Sequence, residues 1–182
     1  MKNLEKLDRN AQYIFLANHQ SLFDIIVLYL VLPYHLSFIA KKSLFYIPLF
    51  GWCLGVLGHI AIDRSNPQKA KKSIEKACMF IKKKKRSIFA FPEGTRSETG
   101  EMGEFKLGIF SLAITTGIDI IPVTINGTRE IIPKNSFFVK PGDVDIVLHD
   151  PINITEYHKS NKAQLAEKTR KIILTDLQQQ AG

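Results

Sequence analysis

The sequence predicts an α/β fold, a single-domain three-layer sandwich around a largely parallel or mixed central sheet. Apolar runs of strand length recur along the chain, and segments with helical periodicity alternate with them. The polar clusters fall where apolar runs stop, and in such sheets chemistry gathers at strand ends. The 182 residues suffice for one domain with its own core and are too few for two ordinary ones.

Taken in order, Tyr13–Ala17 is an almost wholly apolar run and reads as a buried strand. Asn18-His19-Gln20-Ser21 interrupts it, and Leu22–Leu32 is then helical until Pro33 stops it. Leu36–Ile39 reads as a second strand. Leu44–Ile62 runs 19 residues without Asp, Glu, Lys or Arg, and one helix of that length would cover roughly 28 Å. Pro48, Gly51, Gly55, Gly58 and His59 lie within it. A buried helix followed by a core strand is the favoured reading, and a membrane-embedded element stays open beside it. Ser65-Asn66-Pro67 starts a helix carrying Ala70, Ile74, Ala77 and Ile81 at helical spacing. Its other faces carry Lys69, Lys72 and Lys76, and the run Lys82-Lys83-Lys84-Lys85-Arg86 follows.

Ser87–Phe91 is a strand ending in the turn Pro92-Glu93-Gly94-Thr95-Arg96, and Lys106–Thr116 is a buried helix closed by Gly117. Ile120–Ile125 and Val144–Leu148 complete the strands. A polar helix over about Asn161–Gln179 turns Leu165, Ile172 and Ile173 to one side. The motif-bearing core spans about residues 10–150, and no repeat or low-complexity linker divides the chain.

The content of 45% hydrophobic and 23% charged residues is that of a globular protein and excludes a disordered chain. A formal net charge of +8 favours an anionic partner, a description that nucleic acid, anionic lipid and a phosphorylated substrate all meet. Nucleic acid is the poorest fit, because no aromatic residues interleave with the basic run and no zinc-finger or RRM-type signature is present. Cys53 and Cys78 lie far apart and suit a reducing compartment; they suggest neither a disulfide framework nor a zinc site, and no metal is expected. Met1–Asn10 has no secretory signature, which makes the cytoplasmic side the expectation.

Three clusters carry chemistry. In the first, Asn18-His19-Gln20-Ser21-Leu22-Phe23-Asp24, His19 follows a strand and precedes a helix, and a neutral histidine is a natural general base near pH 7. Five helical steps would leave Asp24 roughly 140° away from His19. Pairing therefore needs His19 in the loop and Asp24 in the first turn, where a carboxylate on one ring nitrogen leaves the other free to take a proton. Ser21 and Asp24 also match a capping box that merely bonds helix-start amides, and the two readings are compatible. In the second cluster Arg64 follows a strand, where its planar fork suits a phosphate, the alternative being a surface arginine paired with Asp63. In the third, Glu93 and Arg96 share a Pro-Gly turn with the hydroxyls of Thr95 and Ser97, and such a turn can be no more than a turn. Lys106 opens a helix, where the dipole favours acidic residues, and an anion between it and the helix amides would explain the choice.

In these clusters the chain resembles the glycerol-phosphate and lysophosphatidic acid acyltransferases of the PlsC type. Asn18 to Asp24 looks like that family's N-H-x-S-x-x-D block, and Gly58 to Arg64 is similar to its Gly–apolar–D-R block. Phe91–Ser97 matches F-P-E-G-T-R-S without a mismatch, and Ile120-Ile121-Pro122-Val123 looks like the apolar strand with an internal Pro. Phe105-Lys106-Leu107-Gly108 resembles the F-K-x-G element. The resemblance implies His19 as base and Asp24 as its orienting partner. Arg64, Glu93, Gly94, Thr95 and Arg96 would bind the acceptor's glycerol-phosphate part, with Lys106 a further candidate.

The implied reaction is direct transfer of a fatty acyl group from an acyl-CoA or acyl-carrier-protein thioester, a co-substrate rather than a cofactor. The acceptor would be 1-acyl-sn-glycerol 3-phosphate, giving phosphatidic acid. Glycerol 3-phosphate, another lysophospholipid, or an inactive lipid-binding relative are the alternatives. No covalent acyl-enzyme is expected, since no G-x-S-x-G is present and no block contains a cysteine. The family's hydrophobic N-terminal helices do not precede the first block here; either the chain is a shortened form, or Leu44–Ile62 and the lysine face replace that anchor. A peripheral site on the cytoplasmic face of an anionic membrane follows as an expectation. The lysine run equally suits a solvated helix end.

Overall fold

The computed structural model describes residues 1–97, 99–133 and 138–178. Six strands form one sheet: β1 (Ile14–Ala17), β2 (Leu36–Lys41), β3 (Ile60–Ile62), β4 (Ser87–Ala90), β5 (Ile120–Asn126) and β6 (Asp145–Leu148). Their order is β3-β2-β4-β1-β5-β6. All neighbours run parallel except β5 and β6, so the sheet is mixed, with its one antiparallel pair at an edge. Every residue of β1 and β5 is buried, as expected of strands covered on both faces.

The helices are α1 (Phe23–Val31), α2 (Phe50–Val56), α3 (Pro67–Lys84), α4 (Gly108–Thr116), α5 (Thr128–Ile131) and α6 (Lys162–Gln178). Strand alternation assigns the layers. Ile14, Leu16, Ile88, Ala90 and Ile120 pack with Ala77 and Ile81 of α3, Phe110 and Leu112 of α4, and Leu165 of α6. The opposite side chains, Phe15, Phe38, Phe89, Ile121 and Val123, pack with Leu28 of α1. Fully buried Phe15, Phe89 and Phe110 each contribute about 1.5–3 kcal/mol of apolar burial. This is the three-layer sandwich expected from the sequence.

The local signals act as read. The side chain of Asn66 accepts the Lys69 N–H at 2.8 Å and Pro67 takes the first position, so α3 begins there. Lys82, Lys83 and Lys84 occupy its last turn, where cations meet the negative end of the helix dipole. Gly117 closes α4 at φ 71°, a left-handed conformation that glycine adopts without strain. Helix α4 starts at Gly108, so Lys106 stands in the turn before it rather than in the helix. The last residue assigned to the C-terminal helix, Gln179, lies outside the described residues.

One expectation is corrected. The apolar stretch Leu44–Ile62 does deliver a core strand, with Ile60 and Ile62 buried, but the helix before it is not buried. A 3-10 turn at Lys42–Tyr46 and helix α2 connect β2 to β3, and Gly51 is the sole buried residue of α2. A Cβ at Gly51 would stand 2.1 Å from the Phe45 carbonyl oxygen, so glycine permits the close packing of helix on turn. Most of the other side chains here are exposed, Leu49, Trp52 and Val56 by 71%, 69% and 88%, and Leu54 is half-buried. Absence of charge specifies only an apolar environment, and a core is one way among others to supply it. Among the described residues no helix is long and apolar enough to cross a membrane.

Candidate active site

The carboxyl ends of the parallel strands bring the three clusters to one edge. Where β1 ends, the Asn18 side chain satisfies both backbone groups of Ile125: its Nδ2 donates to the carbonyl at 2.8 Å and its Oδ1 accepts the N–H at 2.8 Å. This pins the start of the His19 loop to β5.

Asp24 is fully buried in the first turn of α1. Its Oδ2 lies 2.8 Å from Nδ1 of His19 and accepts the N–H groups of Gln20 at 2.8 Å and Ser21 at 2.9 Å. Its Oδ1 accepts the Thr128 hydroxyl at 2.5 Å. One carboxylate thus bonds the backbone N–H groups just before α1 and also holds the imidazole, so the bonding of these amides and the pairing with His19 are compatible in one geometry. The ring also stacks on Phe91, centroids 3.6 Å apart and planes 12° apart. A carboxylate at Nδ1 fixes the proton there and leaves the lone pair on Nε2, which bonds to none of the described residues.

Glu93 ties the third cluster to the first. Its Oε1 accepts the His19 N–H at 2.8 Å and its Oε2 accepts the Gly103 N–H at 2.9 Å. The Ser97 N–H in turn donates to the His19 carbonyl at 2.8 Å. Burial pushes the Glu93 carboxyl above its ordinary value, and the two backbone N–H bonds oppose that shift. Glu93 is thereby a structural tie between the loop of residues 92–103 and the backbone of His19.

Arg64 is exposed, as its surface alternative has it, but Asp63 is not its partner. Asp63 pairs with Lys42 at 3.3 Å and with the Ser65 N–H at 3.1 Å, and the bonds from Ser65 hold its carboxyl down at about 2. Arg64 instead donates from Nη1 to the Gly94 carbonyl at 2.6 Å, and its other guanidinium N–H groups bond to none of the described residues. Gly94 sits at φ 77°, and a Cβ there would lie 2.9 Å from both Arg64 Nη1 and Lys106 Cε. Only glycine lets the two cationic side chains close over this turn. They border a cleft of about 400 Å³ whose lining adds apolar Ile39, Ile62, Ile74 and Ile109.

The structure therefore brings together His19, Asp24, Glu93, Arg64, Gly94 and Lys106. Arg96 is half-buried beside them, and Thr95 is exposed with no hydrogen bond to the described residues. Sequence reasoning missed Thr128, Phe91 as the stacking partner, and the role of Asn18. Thr128 has no motif of its own, and only the pairing of β5 with β1 carries it to Asp24. Among the described residues no three His, Cys, Asp or Glu side chains gather as a metal site requires.

The acyltransferase family model matches residues 1–126. The chain is 39% identical over 153 residues to a chloroplastic 1-acyl-sn-glycerol-3-phosphate acyltransferase of Brassica napus, covering 84% of this chain and 43% of that one. Against the Escherichia coli 1-acyl-sn-glycerol-3-phosphate acyltransferase it is 36% identical, covering 88% of this chain and 64% of that one. The chain thus spans about half the length of the curated relatives it matches. The crystal structure of PlsC, the 1-acyl-sn-glycerophosphate acyltransferase of Thermotoga maritima, superposes with a TM-score of 0.80 at 28% identity, covering 100% of this chain and 71% of that one.

Proposed function

The chain belongs to the acyltransferase family, and from that premise we propose that it moves a fatty acyl group from a thioester to the sn-2 hydroxyl of 1-acyl-sn-glycerol 3-phosphate. The observation that carries the proposal is the His19–Asp24 pair, with Nδ1 held at 2.8 Å and Nε2 open at the sheet edge. Nε2 takes the proton of the acceptor hydroxyl as its oxygen attacks the thioester carbonyl carbon. The new C–O bond forms, the C–S bond breaks, and the proton passes to the departing thiolate. The products are phosphatidic acid and a free thiol. General-base catalysis of this kind supplies about 10²–10⁴-fold, and positioning of both substrates supplies much of the remainder.

The acceptor's shape supports the assignment of the first cleft. A phosphate would meet Arg64 and Lys106, and an acyl chain would lie against the isoleucines beside them. Replacing Arg64 by alanine is expected to raise KM for the lysophospholipid about tenfold, with a smaller change in kcat, since a charge-assisted bond contributes roughly 1.5–3 kcal/mol. The test is initial-rate kinetics with the acceptor varied at saturating thioester. An unchanged acceptor KM would show that the phosphate binds elsewhere.

The acceptor is a lipid, and the exposed apolar surface suits its source. Leu49, Trp52 and Val56 of the α2 region stand out from the protein, and Ile26 and Leu30 of α1 are also exposed. The two elements meet around Tyr29, whose ring lies 6.2 Å from that of His59 just beyond α2. The Arg86 Nη1 donates to the Leu57 carbonyl at 2.7 Å, which brings the chain just after α3, whose lysines 82–85 are exposed, next to the end of α2. An apolar face with lysines nearby is the composition of an interfacial docking surface, with about 1 kcal/mol available per lysine near anionic lipid. In vesicle sedimentation we expect strong binding to anionic vesicles, weaker at high salt, and a clear loss on Val56→Glu. Equal binding to neutral vesicles would remove the lysines from the interaction.

A further inference from the structure

We infer that the chain holds the pantetheine arm of its thioester donor in a second cleft, apart from the phosphate-binding cleft. The inference rests on the acyl-transfer reading above. Two clefts adjoin the segment that follows β4. Pro92 and Gly94 line the first cleft, while Thr99, Gly100, Glu101 and Met102 line a second of about 850 Å³ together with Asn126 of β5 and Leu174 and Leu177 of α6. His19 is stitched to that segment through Glu93 and Ser97, and its neighbour Gln20 lines the second cleft. A two-substrate transfer needs both reactants at one base, and with the acceptor in one cleft the donor has the other.

The lining of the second cleft selects the part of the donor that fits. Arg129 and Arg170 stand with Glu101 and Glu130 around it, so its formal charge cancels. That balance argues against a phosphate and for a neutral ligand. Polar surface and the apolar surface of Met102, Leu174 and Leu177 are both present, as a chain of amides separated by methylene groups requires. Asn126, the last residue of β5, lines the cleft and is only 7% exposed. Its side-chain NH2 has no hydrogen-bond partner among the described residues, although nearly every such buried group has one. An amide carbonyl of the arm would satisfy it. The pantetheine arm is shared by coenzyme A and by acyl-carrier proteins, so the cleft would serve either source.

The test compares two donors on the intact protein, palmitoyl-CoA and the palmitoyl thioester of ethanethiol, which lacks the arm. For Asn126→Leu and Asn126→Ser we expect kcat/KM with palmitoyl-CoA to fall about tenfold, the loss of one bond to a buried donor. The acceptor KM and the rate with the ethanethiol ester should stay near wild type, which also reports that the variants fold. An equal loss with both donors, or no loss with either, would overturn the inference. Palmitoyl-phosphopantetheine as a third donor separates the arm from the nucleotide. If it regains none of the advantage of palmitoyl-CoA in the wild type, the cleft does not read the arm. A wild-type protein that transfers from no thioester would instead refute the acyl-transfer reading itself.

Discussion

Replacement of His19 by alanine is expected to reduce kcat by at least about 10²–10⁴-fold while leaving the protein folded. The two halves of that result have separate causes. On the chemical side, Nε2 is the one basic atom that the His19–Asp24 pair leaves open, so its loss removes the proton acceptor for the attacking hydroxyl. On the structural side, the imidazole makes a single side-chain hydrogen bond and one stacking contact. The backbone bonds of residue 19 to Glu93 and Ser97 do not need the ring. Asp24 keeps its bonds from Gln20, Ser21 and Thr128. Thiol release would follow the rate, and a thermal melt would follow the fold. Substantial turnover by a folded variant would reject the role of His19.

The Asp24→Asn change should be nearly as costly to catalysis and more costly to stability. An amide in place of the carboxylate no longer requires Nδ1 to carry the proton, and loss of the correct tautomer in such a pair lowers kcat by about 10⁴. The carboxylate also accepts four hydrogen bonds inside the protein. An asparagine that keeps one acceptor oxygen must turn its NH2 toward donors, leaving at least one buried group unpaired at about 1–3 kcal/mol. Urea midpoints should fall accordingly, and a variant with wild-type midpoint and rate would contradict both claims.

Much of this arrangement is legible in the sequence because its signals are local. The strands show as apolar runs, α3 shows through Asn66-Pro67 and its spacing, and Gly117 marks the end of α4. The placement of Asp24 in a first helical turn near His19 follows from the same short-range geometry. What escapes is set by contacts between distant segments. Thr128 reaches Asp24 only because β5 lies beside β1, and the sheet order that makes them neighbours has no sequence motif. Helix α2 escapes for another reason. Trp52 and Val56 have the character of core residues, and nothing in a sequence distinguishes an apolar face turned inward from one turned to a partner.

The sheet order also governs how this molecule comes into being. Strand β1 precedes the other five in the chain, yet its partners are β4 and β5, so Ile14 waits for Ile88 and then for Ile120. Loops that long are slow to close, and chains dominated by distant pairing fold late. On the ribosome, the emerging chain would hold an apolar ribbon open until the fifth strand is made, a period when chaperones have the most to shield. The seat of the base is thus among the last features to be completed, although His19 is translated before five of the six strands.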